Sequence, residues 1–497
     1  MENGKWTMEN SPPFWYNLRT MQKFKYITTT LPYVNAEPHI GFALEIVQAD
    51  TVVRHLRKQG SDVFFNTGTD EHGLKIHRKA EETGKDTQSY VDEYAQKFKS
   101  LKTTLNLSEI NFIRTTDPHH KAAAQEFWKR CAANGDIYKK MYKIKYCVGC
   151  ELEKTESELV EGKCPIHPTL DIETIAEENY FFRWSNYQKK LLELYANQPD
   201  FVIPDFRFNE IKNFVKAGLE DFSISRLKNK MPWGVPVPED EEHVMYVWFD
   251  ALVNYISAIG WPTDMEKFEK YWPVIQFAGK DNLRQQSAMW QAMLMSAGLK
   301  PSAHILIHGF ITSEGQKMSK STGNVINPFD IVKDYGTDAL RYYLLREIPP
   351  FDDGDFTLRR FKEVYNADLA NGLGNLTARV AKLCETINFA VGESNSKILH
   401  TNDETYYQAL SEYRFSDALA LIWQKITAVD RFMNEEKPWE LVKKDIDKAS
   451  SVLTHCVNQI QEIATLLDPF MPETAKKITE QFKGPSIKAQ TPMFPRL

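Results

Sequence analysis

Lys25-Tyr-Ile-Thr-Thr-Thr-Leu-Pro-Tyr33, followed closely by Pro38-His-Ile-Gly-Phe42, is the stretch on which the fold turns. Its first half is rich in β-branched residues, which suit a pleated strand, and Pro32 and Pro38 mark a turning loop. From Gly41 the apolar residues take helical spacing as far as Gln59, where Gly60 stops the helix. A second strand, Asp62-Val-Phe-Phe-Asn66, then leads into Gly68-Thr-Asp-Glu-His-Gly73. Strand, loop, helix, strand, loop is the cadence of a βαβ crossover, so the chain is expected to be α/β with a parallel sheet.

Further along, Val91, Tyr94, Ala95, Phe98, Leu101 and Leu105 keep helical spacing and read as a core-facing stripe without chemistry. From about Met141 to Pro238 the pattern breaks into short pieces with paired cysteines, clustered acids and proline turns, which marks an insertion. Tyr246-Val-Trp-Phe-Asp250 restores the earlier rhythm. Ile275-Gln-Phe-Ala278 and His304-Ile-Leu-Ile-His-Gly309 read as two more sheet strands whose glycine-containing ends face the ligand side of an open sheet. After Asp368 long amphipathic runs, such as Ala418 to Met433 and Ala449 to Leu467, predict a helical bundle.

A chain of 497 residues divides into roughly three or four domains or subdomains. With 42% hydrophobic, 12% aromatic and 26% charged residues it is neither disordered nor fibrous. The net charge of −6 means that any RNA contact must come from local basic patches. The segment up to Tyr26 carries Glu2, Pro12 and Pro13 and lacks the apolar core of a signal peptide. No window approaches the roughly 18 apolar residues of a membrane span, and cysteines are sparse, so a reducing cytoplasm is expected.

Cys147-Val-Gly-Cys150 and Cys164-Pro-Ile-His167 form two paired arms with the spacing of a structural, tetrahedral Cys3His zinc site. The alternatives are a disulfide pair, disfavoured in a reducing compartment, or four unrelated buried residues. Cys131, Cys384 and Cys456 lack partner spacing, and the first two read as small core residues. His72, His77, His119 and His120 suggest no role.

Pro38-His-Ile-Gly-Phe42 and Lys317-Met-Ser-Lys-Ser321 resemble the paired motifs of class I aminoacyl-tRNA synthetases. Attack of a carboxylate on the α-phosphate of ATP builds negative charge that must be neutralised, which suits mobile cations at Lys317 and Lys320. His39 can donate to a phosphate, and Gly41 lets the helix N-terminus approach the nucleotide. The resemblance also implies Gly279 and Asp281 near the ribose and His308 and Gly309 beside the adenine.

Among these families, the valine, isoleucine and leucine enzymes carry an editing insertion that 497 residues can hardly hold. Thr30-Leu-Pro-Tyr33, Gly68-Thr-Asp-Glu-His-Gly73 and Tyr246-Val-Trp-Phe-Asp-Ala251 look like the methionyl-tRNA synthetases. The resemblance implies a thioether pocket lined by Leu31, Tyr33, Trp248, Ala251 and Tyr255, with Asp70 on the substrate ammonium and Gln286 meeting the substrate through its amide. Three positions depart from the pattern: Phe42 stands where a second histidine belongs, Asn282 where an apolar residue does, and Gln286 where a histidine does. In the C-terminal bundle, Leu373-Gly-Asn-Leu-Thr-Ala-Arg379 and Lys437-Pro-Trp-Glu440 resemble anticodon-reading elements, which implies Asn375, Arg379 and Trp439 as base contacts.

The architecture so implied is a Rossmann-like catalytic domain split into residues 23–116 and 246–311 after an N-terminal extension, 1–22. The connective insertion covers 117–245, with its zinc knuckle at about 141–170. A stem-contact region with the lysine loop covers 312–368, and a helical anticodon-binding domain 369–497. ATP with Mg2+, one structural Zn2+, methionine and tRNA are the expected ligands of a cytoplasmic monomer. A cysteinyl-tRNA synthetase, or a non-catalytic tRNA-binding relative, is the alternative.

Overall fold

The computed structural model describes residues 24–150, 152–154, 158–318, 323–391 and 403–497. Its centre is a parallel sheet of six strands: β1 (Phe24–Thr28), β2 (Asp62–Thr69), β3 (Asn111–Arg114), β4 (Val202–Ile203), β5 (Ile275–Gly279) and β6 (His304–His308). Their spatial order is β3-β2-β1-β5-β6-β4. Connections therefore run outward in opposite directions from β1 and β5, which pair through Ile27 with Ile275 and Thr28 with Gln276. That reversal opens a crevice beyond the carboxyl ends of the strands, where open α/β sheets hold their ligands.

Helix α1 (Ile40–Lys58) makes the crossover from β1 to β2. It buries Leu44, Val47 and Val53 against the sheet, and also Glu45 and Asp50, whose partners appear below. The strand begun at Asp62 continues past Asn66 to Thr69, because Gly68 lies against β3. A Cβ on Gly68 would fall 1.8 Å from the Ile113 carbonyl oxygen, so only glycine permits this pairing. The stripe on helix Thr87–Thr104 is packed as its spacing predicts, with Val91, Ala95, Phe98 and Leu101 buried.

The span after β3 forms an antiparallel sheet in which Ile137–Cys147 lies between Leu152–Lys154 and Glu173–Phe182, with Phe222–Ser223 at one edge. The same span returns to the central sheet to supply β4, which pairs with β6 through Val202 with Ile305 and Ile203 with Leu306. The insertion is thus stitched to the central sheet as well as hung from it.

The C-terminal part is helical, dominated by Phe415–Glu436 and Ile446–Leu467. Ala418, Leu419, Ile422, Ile426, Val429 and Met433 recur at three- and four-residue spacing and are buried, which is the amphipathic packing that the sequence predicts. Arg341, on helix Thr337–Arg346, ties this part to the central α/β part. Fully buried, it meets Asp50 of α1 at 2.8 Å and donates to the carbonyls of Leu105, Pro469 and Phe470. Among the described residues no helix is long and apolar enough to cross a membrane.

Candidate active site

A cleft of about 1050 Å³ opens at the carboxyl ends of β1, β2, β5 and β6. His39, Gly41, Gly279, Asp281, His308, Gly309 and Lys317 line one part of it, and Leu31, Tyr33, Asp70, Trp248, Ala251, Tyr255 and Gln286 another. Lys320 lies outside the described residues.

His39 is the N-cap of α1, its Nδ1 accepting from the Gly41 N–H at 3.1 Å. That acceptor role puts the ring proton on Nε2, the nitrogen left to act as a donor. Loss of solvation among the cleft walls lowers the His39 pKa and favours the neutral ring. A Cβ at position 41 would sit 2.9 Å from that ring, so Gly41 serves the cap as well as close approach to the helix end. Phe42, in place of the motif's second histidine, packs edge-on against Phe98 with centroids 5.6 Å apart. Lys317 ends a hairpin, with Gln316–Lys317 paired against Ile311–Ser313, and its side chain is exposed to the cleft.

His308 is engaged on both ring nitrogens: Nδ1 donates to the Gly309 carbonyl at 2.7 Å, and Nε2 meets the Glu45 carboxylate at 2.9 Å. Burial alone would lower its pKa, but the Glu45 contact outweighs burial and raises it. Both ring nitrogens face acceptors and the edges of the imidazole are saturated, so a base beside it meets the ring face or the Gly309 backbone. Glu45 also accepts from the Thr30 N–H at 2.6 Å and hydroxyl at 2.7 Å, joining the β1 loop, α1 and β6. Because the folded pKa is raised, the pair's stabilisation is complete below the free imidazole value of about 6.5 and fades as pH rises through the folded one. Ring 15N NMR is expected to find His308 protonated above pH 6.5 and Glu45→Gln to lower its midpoint; a midpoint at or below the free value would contradict the pairing.

On the amino-acid side, Tyr33 and Asp70 form a parallel bridge, with the Asp70 N–H donating to Pro32 at 3.0 Å and the Val34 N–H to Asp70 at 3.1 Å. Backbone thus holds the Asp70 carboxylate at the pocket rim. Trp248 and Ala251 come from helix Val247–Ala251 and Tyr255 from the next turn, Asn254–Ser257. Gln286 sits in a π-helical turn, Gln285–Met289, a local widening frequent at functional sites. Its Nε2 donates to the Tyr255 oxygen at 2.8 Å. Asn282, which stands where the family pattern has an apolar residue, donates to Asp281 at 3.3 Å.

Three residues that the sequence leaves unassigned join these walls. Asp250 is fully buried, its Oδ2 2.9 Å from His72 Nδ1 and its Oδ1 3.1 Å from His120 Nε2. Burial would raise the Asp250 pKa, but the two imidazoles prevail and lower it. This buried clip joins the loop after β2 to helix Val247–Ala251 and to helix Pro118–Ala133. Glu45 was equally unmarked; its one sequence signal is an acid on the inward face of an otherwise apolar helix.

Cys147, Cys150, Cys164 and His167 come together with ligand atoms all within 4.8 Å. The Cys150 and Cys164 sulfurs are 3.4 Å apart, and Cys150 Sγ lies 3.2 Å from His167 Nδ1. A tetrahedral ion with Zn–S near 2.3 Å needs sulfurs about 3.8 Å apart, so small shifts would complete the site. The knuckle borders the cleft, where Lys75 Nζ donates to the Gly149 carbonyl at 3.1 Å.

In the bundle, Asn375 is exposed at the start of helix Asn375–Thr386, with Arg379 one turn on. Arg379 meets Asp430 at 2.6 Å, and its guanidinium lies 5.5 Å from the ring centre of Trp439, which is 37% exposed.

Residues 25–171 and 169–381 match the family described as tRNA synthetases class I (M), and residues 391–493 match the anticodon binding domain of methionyl tRNA ligase. A methionine–tRNA ligase of Thermotoga maritima is 43% identical over 470 residues, covering 91% of this chain and 74% of the relative. One from Nostoc is 43% identical over 490 residues, covering 94% and 92%. The structure of the Mycobacterium tuberculosis methionyl-tRNA synthetase with methionyl-adenylate superposes with a TM-score of 0.89 at 36% identity, covering 96% of this chain and 100% of that one.

Proposed function

The chain belongs to the methionyl branch of the class I tRNA synthetases, and from that membership we infer that it activates methionine with ATP and transfers the methionyl group to tRNA. The observation that carries the reading is that a backbone-held carboxylate and an aromatic pocket share one cleft with a helix N-terminus and an exposed lysine.

In the first step a methionine carboxylate oxygen attacks the α-phosphorus of ATP, and the bond from that phosphorus to the α,β-bridging oxygen breaks to release pyrophosphate. Asp70 holds the ammonium, while Trp248, Ala251, Leu31, Tyr33 and Tyr255 enclose the side chain and Gln286 closes its far end. His39, through Nε2–H, and the α1 N-terminus at Gly41 receive phosphate oxygens, and Lys317 with Lys320 neutralises the charge that grows in the transition state. Gly279 and Asp281 hold the ribose and Gly309 with the His308 ring the adenine. The triphosphate would bring Mg2+ with it, which would share the charge that His39, Lys317 and Lys320 meet. In the second step the terminal ribose hydroxyl of tRNA attacks the activated carbonyl and AMP leaves, without a covalent enzyme intermediate. Asn375, Arg379 and Trp439 read the anticodon, Trp439 by stacking on an unpaired base. The reading places a monomer in the cytoplasm.

Methionine-dependent exchange of pyrophosphate into ATP tests it: exchange with methionine and none with cysteine, leucine or valine is expected. Exchange with another amino acid would change the substrate, and no exchange with any would make the protein a tRNA-binding relative.

The three thiolates and His167 fit Zn2+, which would fix the inserted arm and take no part in the chemistry, since four protein ligands leave no open position. Elemental analysis is expected to find one zinc per chain. Cys164→Ser or chelation should release it and lower the melting temperature of the insertion; a metal-free protein with unchanged stability would refute the assignment.

A further inference from the structure

Every backbone polar group of residues 70 and 71 is held by a partner from elsewhere in the chain. The Asp70 N–H donates to the Pro32 carbonyl at 3.0 Å, and the Asp70 carbonyl accepts from the Val34 N–H at 3.1 Å. The Glu71 N–H donates to Thr115 Oγ1 at 2.9 Å, and the Glu71 carbonyl accepts from Trp233 Nε1 at 2.6 Å. The Glu71 side chain, fully buried, receives the Arg114 guanidinium on both carboxylate oxygens, at 2.7 and 2.8 Å. Such a two-pronged, charge-assisted pair fixes direction as well as distance. Glu71 faces Arg114 while Asp70 faces the cleft, so anchoring the one aims the other.

Pro32, Val34 and Thr115 belong to the loops of the central sheet, but Trp233 comes from the inserted span. It grips the loop twice, since its carbonyl also accepts from the Gly73 N–H at 3.1 Å, and its ring lies 5.9 Å from that of His72. Two residues on, the Val235 carbonyl accepts from the Met245 N–H at 2.7 Å. Met245 ends strand Asp240–Met245, which runs into the helix that carries Trp248 and Ala251. We propose that Trp233 and Thr115 are positioning residues for the substrate ammonium: by holding the peptide groups on either side of Glu71 they fix the direction of the Asp70 carboxylate. Trp233 also ties that direction to the wall that receives the substrate side chain. The inference rests on the reading of Asp70 as the partner of the ammonium. Neither residue lines the cleft, so each acts through Asp70. A charge-assisted hydrogen bond is directional as well as strong, so a turned carboxylate weakens the ammonium contact and leaves the apolar contacts of the side chain untouched.

Two competitive inhibitors of methionine-dependent pyrophosphate exchange separate the ammonium from the rest of the substrate. Methioninol keeps the ammonium and the thioether chain, whereas the desamino analogue of methionine keeps the chain and the carboxylate but has no ammonium. The test compares their inhibition constants in the wild type, Trp233→Phe and Thr115→Val. In both variants the methioninol constant is expected to rise about three- to tenfold, the worth of one modest hydrogen bond, while that of the desamino analogue holds. An equal rise for both inhibitors is the mark of a loosened pocket and overturns the assignment, as does no rise for either. Trp233→Phe keeps an aromatic ring beside His72 and Thr115→Val keeps the shape of the side chain, and either alone carries the test should the other not fold. Wild-type exchange with methionine is read separately, so a wrong substrate and a wrong positioning role give different results.

Discussion

Lys317→Ala is expected to slow methionine-dependent pyrophosphate exchange by about two to three orders of magnitude. Lys317 stands at the end of the hairpin that Thr312 pairs, and the Asn324 side chain donates to its carbonyl at 3.2 Å, so the backbone is anchored while the exposed side chain borders the cleft. Displacement at the α-phosphorus adds charge to oxygens that are already anionic, and a preplaced cation stabilises that state more than the bound ATP before it. The loss should therefore fall mainly on kcat, with KM for ATP changed less. Because the side chain is exposed, the melting temperature should hold. Lys317→Arg should keep part of the rate. A fall of less than about tenfold in kcat would remove Lys317 from the chemistry.

Arg341→Met is expected to destabilise the protein by about 3–5 kcal/mol, measured as a shift of the urea unfolding midpoint. The substitution keeps the volume of the stem but leaves the Asp50 carboxylate and three carbonyl oxygens without their donor in a fully buried place. Asp50 retains Arg54 at 2.8 Å and the Ser108 N–H at 2.7 Å, which places the loss towards the lower end of that range. Arg341 spans α1 and the turn at Pro469 and Phe470, so the catalytic and helical parts should loosen together. A loss below about 1 kcal/mol would mean that the junction rests on its apolar contacts alone.

The parts legible in the sequence are those coded by neighbours along the chain. The β1–α1–β2 unit shows through its changing periodicity, and the Cys3His cluster shows because each arm is a four-residue turn. Strand β4 does not show, since two residues inside an irregular insertion carry no period; its place is set by β6. The π-helical turn at Gln285–Met289 is hidden for a similar reason, one extra residue per turn being invisible among helical spacings. Glu45, Asp250, His72 and His120 were missed because their meaning lies in pairs far apart in the chain, and each alone reads as an ordinary polar residue.

The His72–Asp250–His120 clip has a consequence for the order of manufacture. The wall bearing Asp70 leaves the ribosome first and His120 follows, but the carboxylate that fastens them comes only with Asp250, after the whole insertion has emerged. A stalled or truncated nascent chain that ends before Asp250 thus carries two imidazoles with nothing to grip and half a binding surface. The amino-acid wall is therefore fastened last, by a residue that lies more than a hundred positions beyond both of the imidazoles it joins.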